Sequence, residues 1–369
     1  MGVKPPPAYG LGRDRQNRRR PRGPRADGAR HAILAPTFRM AHAITNLYRI
    51  FYDAVLSRLP EARAVALGQA LFRALPLDRL GIFRLDHPRL RTSLGGVPLP
   101  NPLVFAAMYY DVRILSRLMG LGFGAVTAKT ITRESRPGHP EPNLVRVRTA
   151  AGPGLVNCNG FQNPGVDRFR SDVASLPHRV PLIVSVAGES GDDYLALAAA
   201  LAPFGDLVEF NISSPNTKLV YAWSTRPREL TALLRAAGAA APKPLIVKLS
   251  PDFADVNEAE IIPAALEAGV RIINYGNTRR IEDRRLSQGV GGLSGPELFP
   301  STLANVRRTR ARFGEAIEII ATGGVDAPDK AVALLREGAT AVGCFTGFIT
   351  RGPGLARRIL EAILAERTR

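Results

Sequence analysis

Cysteine is nearly missing from this chain: Cys158 and Cys344 are the only two in 369 residues, far apart and without the spacing of metal ligands. Neither a disulfide framework nor a zinc site is expected, and the usage fits a reducing compartment. Long apolar runs are missing as well. None approaches the roughly 18 residues that a bilayer span requires, and no secretory signal is legible. Acidic residues are scarce, 32 against 50 Lys and Arg, for a net charge of +18. That excess is uneven, since the first thirty residues hold eight Arg and one Lys against two Asp. A stretch so rich in Pro, Gly and Arg reads as a disordered basic tail over residues 1–39. Aromatic residues other than Tyr9 do not interleave with those arginines and no nucleic-acid motif follows, so nucleic acid is not expected as a partner. A solvated tail, a segment upstream of a start at Met40 and an organelle presequence stay open.

What is present begins with an amphipathic stretch. From Ala41 to Leu80, Ile44, Leu47, Ile50, Phe51, Ala54, Val55 and Leu59 recur at three- and four-residue steps, fringed by Tyr48, Arg49, Tyr52 and Arg58. Pro60 ends this helix, and a second runs through Ala64, Leu67, Leu71, Phe72 and Leu75. Two such helices suit either a membrane surface or the flank of the domain that follows.

After a linker over residues 81–100, strand-like and helix-like segments alternate. The apolar runs 102–107, 124–131, 182–187, 207–211, 245–249, 271–275, 317–321 and 341–345 are eight in number, most of them separated by helical patterns. Eight alternations predict a (β/α)8 barrel, an α/β fold with its active site at the C-terminal strand ends. A doubly wound sheet is the alternative, but no Gly-x-Gly-x-x-Gly follows the first strand. The predicted organisation is thus a tail (1–39), a helical extension (40–80) and a barrel (81–369).

Polar residues fall where the mouth of such a barrel would want them: Lys129, Ser185, Asn211, Lys248, Asn277 with Thr278, and Gly323 with Gly324. Lys248 sits in the apolar run Ile-Val-Lys-Leu, where a charge needs either a ligand or a structural ion pair. Ala321-Thr-Gly-Gly324 and Gly343-Cys-Phe-Thr-Gly347 match the loops after strands seven and eight, where barrels bind phosphate on backbone amides. The loop Asn211-Ile-Ser-Ser-Pro-Asn-Thr217 concentrates hydroxyls and amides around one proline. It reads as a site for a small polar ligand or, equally, as a capped turn.

Those motifs, with Asn157-Cys-Asn-Gly-Phe-Gln-Asn163 and Gly291-Gly-Leu-Ser-Gly-Pro296, resemble the dihydroorotate dehydrogenases over roughly residues 41–366. These are FMN-dependent barrel enzymes of pyrimidine synthesis. The helical extension and the serine in the Asn211 loop are what the membrane-associated, quinone-reducing class carries. The resemblance implies that Ser214 is the base at C5 of dihydroorotate while hydride leaves C6 for the flavin, with Thr217 and Phe161 as the gating pair. It implies Asn157, Asn211, Asn216, Asn277, Thr278 and Lys129 as substrate ligands. For FMN it implies Ala106, Ala107, Thr130, Ser185, Asn211, Lys248, Asn277 and Gly295, with the phosphate on Gly323, Gly324, Phe345 and Thr346. Lys248 matches the lysine beside flavin N1 and O2, whose positive charge stabilises the reduced, anionic ring. Arg146 matches the arginine of the quinone tunnel, residues 41–80 the membrane-facing part, and the cytoplasmic face of a membrane the location.

Several positions depart from the quinone-class pattern. Ala106-Ala-Met-Tyr-Tyr-Asp111 stands where that class reads Ala-Ala-Gly-x-Asp-Lys, so the expected lysine is missing. Lys129 and Ser185 resemble the soluble class instead, and the former suggests that the charge has moved to the second strand. Cys158-Asn159, Tyr109, Tyr110 and Phe345 are further changes around the substrate and tunnel, so the substrate side is where specificity is expected to shift.

Overall fold

The computed structural model describes residues 27–213, 223 and 226–368, with the side chains of 27–38 left aside. Inward-pointing residues organise the architecture. Eight parallel strands close into a barrel: β3 (Leu103–Tyr109), β4 (Ala125–Ile131), β7 (Leu182–Val186), β8 (Leu207–Asn211), β9 (Leu245–Leu249), β10 (Ile272–Tyr275), β13 (Glu318–Thr322) and β14 (Ala341–Cys344). All eight coincide with the apolar runs read from the sequence, and neighbours in the chain order pair around the ring.

Each strand is buried on both faces, the expected state of a parallel sheet covered by helices. The outward residues, among them Val184, Val208, Phe210, Val247, Ile273 and Ile319, pack against the surrounding helices in one large core. The inward residues form two layers of opposite character. The lower one is apolar: Val104, Ala125, Ile183, Leu207, Ile246, Ile272, Ile320 and Ala341. Two residues further along five of the strands the same face turns polar, with Ser185, Glu209, Lys248, Asn274 and Thr322. The lower layer is closed from beneath by a hairpin, β1 (Thr92–Leu94) with β2 (Val97–Leu99), whose Leu94 and Leu99 join it. The hairpin lies in the stretch read as a linker, because three-residue strands are too short to carry a period.

A second sheet stands over the barrel mouth. Its order is β11 (Arg279–Glu282), β12 (Val290–Ser294), β6 (Gly152–Asn157) and β5 (Leu144–Thr149), all antiparallel. It was not expected from the sequence, since Val290-Gly-Gly-Leu-Ser294 reads as loop. Gly292 is required there because a Cβ would run into the Thr278 side chain.

Helix α1 runs Asp27–Ala54 and α2 Glu61–Ala74. The first helix therefore begins inside the segment assigned to a disordered tail: averaging charge over thirty residues masks the helix-favouring Ala29 to Ala35 stretch. Its docking face also differs from the apolar stripe read in the sequence. Ala41 and Thr45 are buried and Tyr48 lies inward, while Leu47 and Ile50 are each 66% exposed. Small residues decide this orientation. Thr45 lies against Gly354 and the Tyr48 ring against Gly352, so close that a Cβ on either glycine would collide. The Tyr48 hydroxyl donates to the Ile349 carbonyl at 2.5 Å. Helix α2 has no fully buried residue, because its inner face borders a cavity rather than packed side chains.

Candidate active site

A single cavity of about 970 Å³ opens between the polar layer of the lumen, the loops at the strand ends and the two extension helices. That volume lies at the upper end of the range for small-molecule and cofactor sites. Its floor is Lys129 and Lys248, one side is Asn157, Asn277 and Thr278, and the far side is Gly295, Gly323, Gly324, Phe345 and Thr346. The roof is aromatic and apolar: Tyr48, Phe51, Tyr52, Leu56, Leu71 and Phe72. Ala106 and Ala107 line it as well.

The floor is held by a hydrogen-bonded belt. Asn211 Nδ2 donates to Thr130 Oγ1 at 3.0 Å, and Thr130 and Ser185 share a hydroxyl contact of 3.0 Å. Ser185 Oγ donates to Glu209 Oε1 at 2.8 Å, and Asn274 Nδ2 to Glu209 Oε2 at 2.6 Å. Thr322 Oγ1 then donates to Asn274 Oδ1 at 2.9 Å. Lys248 Nζ stands 3.5 Å from Glu209 Oε1. The lysine thus has a structural ion pair and a face on the cavity at once. Asn277 is fixed from the same belt, its Nδ2 donating to Asn211 Oδ1 at 3.1 Å and to Ser213 Oγ at 2.8 Å. Thr130, Ser185 and Asn211 therefore stand one layer behind the described cavity wall. The residue that sequence reasoning missed is Glu209, fully buried at the centre of the belt. Its only signal was an acidic residue inside the strand Leu-Val-Glu-Phe.

Lys129 differs from Lys248 in having no described partner. Part of its side chain faces the cavity, yet protein surrounds the amine densely, and this burial lowers its pKa from 10.5 to about 8. An amine so enclosed, with no acceptor among the described residues, gains from a ligand that supplies one.

Asp111, at the place of the missing lysine, lines the cavity with both carboxylate oxygens engaged in structural bonds. Its Oδ1 accepts from the Arg113 and Ile114 amides, capping helix α3 (Val112–Leu118), and its Oδ2 accepts from Arg73 Nε at 2.8 Å. Burial pushes the carboxyl pKa up, but these hydrogen bonds outweigh it and leave it lowered. The stretch that departs most from the quinone-class pattern thus ties α2 to the barrel. Tyr109 stacks on Phe105 and meets Phe345 edge-on at 6.0 Å between centroids. Arg146 donates to the carbonyls of Leu56 and Leu59 and pairs with Glu61, so it clamps the turn between α1 and α2 while lining the cavity.

Two backbone positions carry strain-prone geometry. Gly323 and Gly324 have φ of +149° and +77°, and a Cβ on Gly324 would strike the Phe299 backbone. Close packing alone therefore demands that pair, whatever their amides bind. Phe161 is the one described non-glycine residue with positive φ, +56°, its carbonyl held by Asn163 Nδ2 at 2.6 Å. Its ring packs on the core and does not line the described cavity. Ser214, Asn216 and Thr217 lie outside the described residues.

Residues 89–366 match the family model for dihydroorotate dehydrogenase. The chain belongs to the dihydroorotate dehydrogenase family. It is 34% identical to the dihydroorotate dehydrogenase (quinone) of Rhodococcus opacus over 84% of this chain and 92% of that protein. To the protein of that name from Cereibacter sphaeroides it is 36% identical over 76% and 83% of the two chains. Among solved structures, DHODH from Eimeria tenella in complex with ferulenol superposes with a TM-score of 0.73 at 25% identity, covering 85% of this chain and 95% of that one. The barrel predicted from the alternation of segments is therefore the family's barrel.

Proposed function

We propose that this chain oxidises dihydroorotate to orotate with FMN and passes the electrons to a membrane quinone. The observation that carries the reading is Lys129: a buried amine without a described partner, aimed into a cavity walled by Asn157, Asn277 and Thr278. Amides on one side and a cation on the adjoining floor suit a cyclic imide that bears a carboxylate. The residues on the remaining wall would hold FMN, Lys248 beside the ring and Gly323, Gly324, Phe345 and Thr346 around the phosphate. When bound, the flavin supplies the hydride acceptor.

The protein's own part is to orient and to move a proton. Asn277, its Nδ2 donating to Asn211 and Ser213, is held in one rotamer with Oδ1 left to accept from the substrate. Ser214 takes the C5 proton and hands it toward solvent, with Thr217 controlling access. Exposed Leu47, Ile50 and Val65 on α1 and α2, with Arg49, Arg58 and Arg63 among them, rest on the membrane surface, on its cytoplasmic face. The acceptor enters under the roof between Tyr52 and Arg146. Among the described residues no helix is long and apolar enough to cross a membrane.

The rebuilt wall at Met108–Asp111 favours a second reading, a flavin oxidoreductase for another cyclic amide or enone. A non-redox phosphate-binding barrel is the third. Anaerobic addition of dihydroorotate to purified protein separates all three. Bleaching of a flavin spectrum supports the first, a stable yellow protein the second, and colourless protein that FMN cannot reconstitute the third. Ser214→Ala should keep FMN and slow its reduction about 10²–10⁴-fold in single turnover; an unchanged rate removes the serine from that role. Leu47→Glu with Ile50→Glu should abolish cosedimentation with lipid vesicles, and undiminished cosedimentation refutes the membrane face.

A further inference from the structure

Glu209 is a carboxylate with no exposure to solvent, inside a barrel, on a strand whose other residues are Leu207, Val208, Phe210 and Asn211. Burying such a charge is unfavourable by several kcal/mol or more unless partners replace its water. The belt supplies them: Oε1 takes the Ser185 hydroxyl and faces Lys248 Nζ, while Oε2 takes the Asn274 amide. Both carboxylate oxygens are therefore used.

The contacts are unequal in a way that matters. Those to Ser185 and Asn274 are 2.8 and 2.6 Å, whereas the lysine stands off at 3.5 Å. Ser185 and Asn274 lie behind the cavity wall, but Lys248 lines it. The carboxylate is thus anchored by neutral donors on two strands, and among the described residues Glu209 is the one side-chain partner of a lysine that lines the cavity. A pair built only for stability would be sealed at both ends. A second arm runs from Glu209 through Asn274 to Thr322, which lines the cavity just before Gly323.

We propose that Glu209 is a positioning residue that aims Lys248 at the bound flavin and offsets its charge there, an inference that rests on the FMN reading above. It touches neither substrate nor flavin and acts through the lysine. Coulombic interaction at this separation in a poorly screened interior is strong, so the lysine presents a reduced positive field to the ring. The redox poise of the flavin is then set by a pair of residues and not by the lysine alone.

The test uses E209Q, K248M and the double variant, each with bound FMN, and reads the flavin midpoint potential. Removing the negative charge should raise the potential, removing the positive charge should lower it, and the double variant should return close to wild type. E209D keeps the charge and should restore most of the wild-type value. A potential unmoved in E209Q with FMN still bound, or a double variant that keeps the K248M value, overturns the proposal. Should E209Q fail to fold, Ser185→Ala, which frees one oxygen of the carboxylate, carries the comparison; a potential unmoved there also overturns it. The flavin-free protein gives an independent readout. Each single variant leaves one buried charge uncompensated and should melt lower than the double variant; purely additive losses refute the pairing. Wild-type protein that binds no FMN would instead sink the reading on which the proposal rests, while the melting data still report on the pair.

Discussion

The two inward layers of the barrel come from the same strands, two residues apart, and follow opposite rules. Below, Ile183, Leu207, Ile246, Ile272 and Ile320 fill space and nothing else. Above, Ser185, Glu209, Lys248, Asn274 and Thr322 fill the same cross-section with hydrogen bonds. One backbone geometry therefore serves stability and chemistry in turn, and the switch happens within a single pleat. The lower layer can be judged by volume, while the upper has to be judged by whether every donor finds an acceptor.

Substitutions can separate the two layers. The largest effect on stability belongs to the lower one: Ile320→Ala should cost about 2–5 kcal/mol in denaturant unfolding. The folded fraction should bind orotate as before, and a loss of orotate affinity there would show that the layers are not independent. In the upper layer, Lys129→Ala should cost about 1.5–3 kcal/mol of orotate binding. Its melting temperature should hold or rise, since a desolvated amine is removed. Calorimetry settles both points, and an unaltered dissociation constant rules out the relocated charge.

The pH dependence sharpens the same contrast. Lys129 has a folded-state pKa lowered to about 8 from 10.5, so the unfolded chain binds more protons between those values. Its unfavourable contribution to stability is therefore full below about pH 8 and fades as pH rises toward 10.5. Anion binding needs the protonated amine, so orotate affinity should fall as pH rises through about 8, and Lys129→Ala should lose that dependence. The smallest expected effect lies outside both layers: Tyr48→Phe removes the bond to the Ile349 carbonyl and should cost about 0.5–1.5 kcal/mol. Faster proteolysis of α1 in that variant would place the extension's hold there, and unchanged cleavage would place it in the glycine seam.

Legibility in the sequence followed the length of the signal. The barrel strands are runs of four to seven mostly apolar residues bounded by turns, and all eight were readable. The β1–β2 hairpin and the Val290–Ser294 strand were not, because their pairing is written in partners far along the chain. Lys129, Asn157, Asn277, Gly323 and Gly324 were readable as site residues through family motifs, and the structure gathers them around one cavity. Glu209 was hidden because an acidic residue flanked by apolar ones looks like an exposed position on an alternating strand. Only barrel closure turns that face inward. The inward stripe of α1 was hidden for a related reason: Ala41 and Thr45 pack through smallness, which hydrophobicity patterns do not record.

The hairpin beneath the barrel has one more consequence. Leu94 and Leu99 cap a layer built from aliphatic side chains, so among the described residues apolar packing closes the end of the lumen opposite the cavity. A proton released over the polar floor has to leave by the mouth, through the same opening that admits the ligands.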